Sequence, residues 1–224
     1  ASWSRGGWVG FGAAVLVMVF LTPMTWRRGF LLIAVLVILS WLLYSTGLFP
    51  QNITDRLTGF SALFQFSDIR SVGITDANFS LIERIAHWQT ALDMWRSRFW
   101  FGIGLGGYES AYPLFRMPNW TLPLGHAHNI YLNMLAETGI LGLSAYGLFM
   151  GTILVKLGRA AHSLDGWLRG LAVGLTGAWI HLMVHNLVDN LLVNNVHLHV
   201  GLMLALSAWV ITKAGHGDLP EAIP

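Results

Sequence analysis

Of the 224 residues, 54% are apolar and only 11% charged, far below the roughly one quarter charged residues of a soluble domain, so a water-soluble fold is not expected. A formal charge of +2, with basic residues scattered singly or in pairs, argues against a nucleic-acid binder. The absence of cysteine removes disulfides and Cys-based metal sites.

The chain opens Ala-Ser-Trp-Ser-Arg, with neither an initiator methionine nor a signal-peptide pattern, and reads as the C-terminal part of a longer protein. About 20 mostly apolar residues are needed to cross a bilayer as a helix. The first such stretch runs from Trp8 to Leu21 before Thr22-Pro23, and is slightly short unless Arg5 to Gly7 belong to it. The second, from Gly29 to Leu48, is uncharged and rich in Leu, Ile and Val. Three more are expected, from Asn129 to Val155, from Leu168 to Val188 and from Leu191 to Thr212, the last two forming an antiparallel hairpin. The chain thus divides into two transmembrane helices (1–48), a large loop (49–127), three transmembrane helices (128–213) and a short tail (214–224). This is an all-α polytopic membrane protein.

Basic residues in short connections are retained on the cytoplasmic side. Arg27, Arg28, Lys156, Arg159, Arg169 and Lys213 all fall on one side, which places the tail in the cytoplasm and Arg5, the loop and the turn from Asp189 to Asn195 on the extracytoplasmic side. With five crossings the two ends face opposite sides.

The loop is too long for a plain connection. From Ser80 to Arg98, Leu81, Ile85, Trp88, Leu92 and Trp95 recur at helical spacing, with Glu83, Arg84, His87 and Asp93 on the remaining surface. The result is an amphipathic helix whose aromatic face suits a membrane interface. Gly102 to Tyr108 resembles a dinucleotide fingerprint only superficially, lacking the preceding strand and the following acid, and is expected to form a flexible turn.

The stretch from Gly125 to Gly142 carries His128-Asn129, nine intervening residues, then Gly139 and Gly142. This resembles the motif of the O-antigen ligase and O-antigen polymerase superfamily. Ser4-Arg5-Gly6-Gly7 is similar to that family's extracytoplasmic arginine motif, and Arg84 with Trp88, leading to the glycines at 102–107, resembles its periplasmic-loop segment. A weaker echo is His185-Asn186 near the end of a later helix. The resemblance spans the chain but matches only the C-terminal part of a usual member. It implies a GT-C-like, metal-independent glycosyltransferase of the bacterial inner membrane, working on the periplasmic side without cofactor. Its donor would be an undecaprenyl-diphosphate-linked glycan and its acceptor the lipid A core or another glycan.

Chemistry at these positions agrees. A departing diphosphate calls for arginine, whose rigid fork of donors pairs with phosphate. Arg5, at a helix mouth beside Gly6-Gly7, and Arg84 are the candidates, though snorkelling and a solvated helix face would explain them structurally. Arg70, Arg96, Arg98 and Arg116 share the loop. His128 is the candidate base, its ordinary pKa lying near neutrality. Single displacement with such a base inverts the anomeric carbon. Asn129 would orient a sugar or the imidazole, Glu137 would pair with an arginine or position the acceptor, and Gly139 and Gly142 would let helices pack closely.

His126 and His128 also invite a metal reading with His87 or Glu137, but a two-residue spacing points them to opposite sides of a strand and no third ligand is fixed by pattern, so no metal is expected. Asp189 with Asn190, Asn194 and Asn195 reads as a polar turn, and His181, His185, His197 and His199 give the last hairpin an unusual imidazole content. Beside the ligase stand three alternatives: an O-antigen polymerase or protein O-oligosaccharyltransferase, a truncated non-catalytic scaffold among other membrane subunits, and a transporter lined by intramembrane ionisable groups.

Overall fold

The computed structural model describes residues 4–22, 26–47, 73–76, 78–193 and 195–216. The expected first part of the loop with Arg70, most of the tail, and Asn194 lie outside the described residues. Among the described residues there are seven helices and no strand: α1 (Arg5–Leu21), α2 (Trp26–Ser45), α3 (Phe79–Ser97), α4 (Tyr108–Phe115), α5 (Ile130–Ser163), α6 (Gly166–His185) and α7 (Val196–His216). Among the described residues, four helices, α2, α5, α6 and α7, are long and apolar enough to cross a membrane. The fifth expected crossing, α1, is 17 residues long. Arg5 to Gly7 do belong to it, giving a rise of about 26 Å against a hydrocarbon core of roughly 30 Å.

Several boundaries differ from the sequence expectation, among them that of α2, which starts at Trp26 and so takes Arg27 and Arg28 into its first turn. Helix α5 runs on to Ser163, so Lys156 and Arg159 ride its last turns instead of the connection, which shrinks to Leu164 and Asp165. Helix α7 starts at Val196, not near Leu191. The apolar run Leu191 to Val193 is drawn into a turn because side chains capture its amides: Asn186 Oδ1 accepts from Leu191 N at 2.8 Å and Asn190 Oδ1 from Leu192 N at 3.1 Å.

The main core lies among α5, α6 and α7 around Trp179, Leu157, Ala172 and Val210. Trp179 donates its indole N–H to Ser207 Oγ at 3.0 Å, so its polar edge is not left bare. Helix α1 lies along α6 through small residues. A Cβ at Gly10 would come within 2.8 Å of the His181 carbonyl oxygen, and one at Gly177 would strike Met18. Such close approach is how helices associate where lipid removes the hydrophobic drive.

Helix α5 is broken at Gly139, whose φ of 67° and ψ of −168° leave the helical region. A break orphans backbone groups on both sides, and the segment after α3 takes them up. Ile103 N donates to Ala136 O and Gly104 N to Glu137 O, both at 2.9 Å. Phe99 O accepts from Ile140 N at 3.0 Å and Trp100 O from Leu141 N at 3.4 Å. A Cβ at Gly102 would run into the Ala136 and Glu137 backbone, and one at Gly139 into Trp100. The glycine-rich turn, expected to be flexible, is therefore a wedge in a split helix. Gly139 marks the split and not a helix contact, and a Cβ at Gly142 would strike Thr138 of its own helix.

The split changes the direction of the chain. An unbroken α5 would rise about 51 Å, whereas α6, 20 residues long, rises about 30 Å. Only two residues join them, yet Ile130 N donates to Asn186 O at 3.1 Å, just past the far end of α6. The segment before Gly139 must turn off the axis and reach across to that end.

Candidate functional site

Asn129 fixes the start of α5. Its extended backbone (φ −162°, ψ 114°) and side-chain oxygen make the N-cap, accepting from Tyr131 N at 2.9 Å and Leu132 N at 3.0 Å. The same amide donates Nδ2 to Leu187 O at 2.7 Å, and Tyr131 donates its hydroxyl to Met183 O at 2.8 Å. With the bond from Ile130 N, these tie the start of α5 to the end of α6. The Asn129 side chain thus serves as both cap and strap.

His128 stands one residue earlier at φ 50°, a left-handed conformation that costs a non-glycine residue on the order of 1 kcal/mol. Its backbone is held on both sides: the carbonyl accepts from Trp88 Nε1 at 3.3 Å, and the amide donates to His126 Nδ1 at 3.2 Å. The ring meets His126 edge to face at 4.5 Å between centroids and His87 at 5.7 Å. The two-residue spacing therefore does not send His126 and His128 to opposite sides, because the left-handed backbone breaks the strand geometry. Among the described residues, no group of three His, Cys, Asp or Glu side chains is placed to hold a metal ion.

Behind the imidazole stands Asp189, its Oδ1 3.6 Å from His128 Nδ1. The Asp189 carboxyl is held down to about 2, chiefly by the His128 imidazole; burial opposes this, and the Asn190 amide and the Arg84 guanidinium assist. Neither ring nitrogen of His128 has a hydrogen-bond partner among the described residues.

Arg84 reaches the same turn. Its Nε donates to Val188 O at 3.3 Å and its Nη1 to Ser80 O at 2.8 Å. The first turn of α1, which contains Arg5, also meets this region. Ser4 caps α1 by accepting from Gly7 N at 3.3 Å, and its hydroxyl is hydrogen-bonded to His185 Nε2 at 2.9 Å. A Cβ at Gly6 would lie within 2.6 Å of the Val188 side chain. Val188 and Asp189 thus join what the sequence left scattered: the mouth of α1, Arg84 and His128.

Glu137 is placed elsewhere. It is buried, and its Oε1 accepts from Tyr108 N at 3.1 Å, anchoring the first turn of α4 where a carboxylate meets the positive end of the helix dipole. Its partner is a backbone amide and not an arginine.

His87 was expected on the surface and is fully buried. The face of α3 that packs inward carries Ile82, Ala86, Thr90, Ala91 and Met94, along with Ile85 and Trp88 of the expected stripe, whereas Leu92 and Trp95 are only partly covered. His87 Nδ1 and the Tyr108 hydroxyl are 2.9 Å apart, and the ring stacks on Tyr112 at 5.0 Å. Burial, then the neighbouring His128 and His126, lower its pKa to about 4. Burial lowers the pKa of His126 as well, with His128 adding to the effect.

The O-antigen ligase family matches residues 1–147, well over half of the chain. The chain belongs to the O-antigen ligase family. No match is found among curated proteins. Every residue singled out from the sequence for the site, Arg5, Arg84, His128, Asn129, Glu137, Gly139 and Gly142, lies inside the region matched to the O-antigen ligases. His185 and Asp189, which complete the cluster, lie beyond it. The four long apolar helices and the ligase family together make this a multi-pass membrane protein with a place in membrane glycan transfer.

Proposed function

We propose that this protein transfers a glycan from undecaprenyl diphosphate to an acceptor hydroxyl, with inversion and without metal, on the periplasmic side of the bacterial inner membrane. The observation that carries the reading is the meeting of His128, Asp189 and Arg84 at the turn beside the mouth of α1. With Nδ1 facing Asp189, His128 keeps its other nitrogen, buried and without a hydrogen-bond partner among the described residues, as a lone pair for the acceptor. It takes the proton of the acceptor hydroxyl as the oxygen attacks the anomeric carbon from the face opposite the diphosphate. The bond from that carbon to the diphosphate oxygen breaks, and its electron pair leaves with the diphosphate. Arg84, together with Arg5 in the first turn of α1, meets that charge. The proton stays on His128, where the Asp189 carboxylate stabilises the imidazolium. General-base catalysis of this kind contributes about 10²–10⁴-fold.

The acceptor we assign is the lipid A core. The test is to incubate reconstituted protein with lipid-diphosphate-linked glycan and, in separate arms, lipid A core, a second lipid-linked repeat or an acceptor peptide. Wild type is compared with His128→Ala and Arg84→Ala. Transfer only in the first arm, lost in both variants, supports the ligase; transfer in another arm reassigns the acceptor to that of a polymerase or a protein oligosaccharyltransferase. Transfer that survives both substitutions overturns the mechanism.

A further inference from the structure

The turn that wedges the split in α5 carries an outward surface with no part in the site. Phe99, Trp100, Phe101 and Leu105 are exposed, Phe101 at 74% and Leu105 at 84% of full accessibility. No charged residue lies from Phe99 to Tyr108, whereas Arg96 and Arg98 stand just before it and are exposed. Water exposure of such a run is unfavourable, and its aromatic side chains are prearranged: Trp95 donates its indole N–H to Phe99 O at 3.1 Å, and the Phe99 and Trp100 rings meet edge to face at 5.2 Å. A flexible connection would not hold them so.

Where this surface sits decides what covers it. The backbone of Phe99 and Trp100 is bonded to Ile140 and Leu141, the first residues below the split. Residues 140–163 rise about 36 Å, enough to fill the hydrocarbon core. Along that part of α5, Leu141, Leu148 and Phe149 are exposed apolar side chains. The aromatic turn is bonded to the first residues of that crossing, the level at which Trp is enriched and basic side chains meet lipid phosphate.

We propose that the turn from Phe99 to Leu105 is a membrane-interface anchor, seated at the headgroup and acyl boundary of the leaflet nearest the site, with Arg96 and Arg98 toward the lipid phosphates. The interfacial contact therefore belongs to the turn after α3 and not to the aromatic stripe of α3 itself, where Trp88 is buried against Val188. The anchor fixes the height of the site. The segment from Ile130 to Thr138 lies across the top of the bundle, so the His128 cluster is held beside the plane of the lipid phosphates.

The chain has no cysteine, so single nitroxide labels are introduced cleanly by Phe101→Cys, Leu105→Cys, Ser110→Cys and Leu148→Cys. The protein is placed in vesicles of phosphatidylethanolamine and phosphatidylglycerol, and collisions with oxygen and with a water-soluble nickel chelate are measured by electron paramagnetic resonance. Labels at 101 and 105 are expected to show an oxygen-to-nickel ratio several-fold above that at 110 and below that at 148. A ratio at both positions equal to that at 110 places the turn in water and overturns the anchor. Shielding from both reagents overturns it in favour of a protein cover. The readout needs no turnover, so failure of the anchor and failure of the proposed transfer are separate results.

Discussion

Asp189 Oδ1 lies 3.6 Å from His128 Nδ1, and the two residues flank the α5–α6 pair, His128 just before α5 and Asp189 just after α6. The contact exists because α5 turns at Gly139 and its N-terminus is strapped to the end of α6 through Asn129, Ile130 and Tyr131. A carboxylate held ionised behind an imidazole stabilises the cation that forms when the imidazole takes a proton.

Asp189→Asn keeps the size of the side chain and removes the charge. Glycan transfer is expected to fall about 10²-fold in kcat, with little change in donor KM. Because Asp189 acts through His128, the double variant with His128→Ala is expected to be no slower than His128→Ala alone, and an additive loss would separate the two residues.

His87 gives the fold a pH dependence. Its folded value of about 4 lies below the ordinary 6.5, so between these values the unfolded chain takes up a proton that the folded one refuses. Stability is full above pH 6.5, falls as pH drops toward 4, and loses up to roughly 3 kcal/mol over that span. Thermal unfolding in detergent between pH 4 and 7 checks this, with His87→Gln expected to flatten the difference from wild type.

Glycines of α5 and its wedge divide by what faces them. Gly102→Ala drives a methyl group into the backbone at Ala136 and Glu137 from a φ of 65°, and is expected to cost about 3 kcal/mol or more. Nothing lies within 4 Å of a Cβ at Gly147, so Gly147→Ala in α5 is expected to change stability by less than about 1 kcal/mol, toward a gain. Melting temperatures of the two variants, measured side by side, make the comparison.

Ser4 joins the cap of α1 to His185. Ser4→Ala loses the cap, worth about 1 kcal/mol, and frees the helix mouth that carries Arg5. Donor KM is expected to rise several-fold with kcat nearly unchanged, and Ser4→Thr, which keeps the hydroxyl, to restore it. A kcat effect without a KM effect would instead tie Ser4 to the transfer step.

Hydropathy and positive charge made the membrane helices legible, because crossing a bilayer demands long uncharged runs that few other structures need. His128 and the arginines were legible as local motifs. Asp189 was not, since its meaning depends on a contact between residues far apart in sequence, and a polar turn was the natural reading of its neighbours. His87 was missed for a different reason. The inward face of α3 is built from small residues, Ala86, Thr90 and Ala91, that hydrophobic spacing underweights, and a histidine beside them looks solvated until the packing is known. Gly139 was legible as part of a motif yet not as a split, because only the wedge after α3 explains why a long apolar helix tolerates a left-handed residue there.

The turn at Val188 and Asp189 also imposes an order on biosynthesis. A nascent chain that has emerged only as far as α5 already carries Arg5, Arg84 and His128, but has nothing to join the mouth of α1 to the start of α5. The cluster closes only when α6 has been inserted and its far end receives the bonds from Ile130 and Asn129. Completion of the site is thereby timed to the arrival of the last hairpin, and a chain released early has α3 against His128 but lacks Asp189 and the link to the mouth of α1.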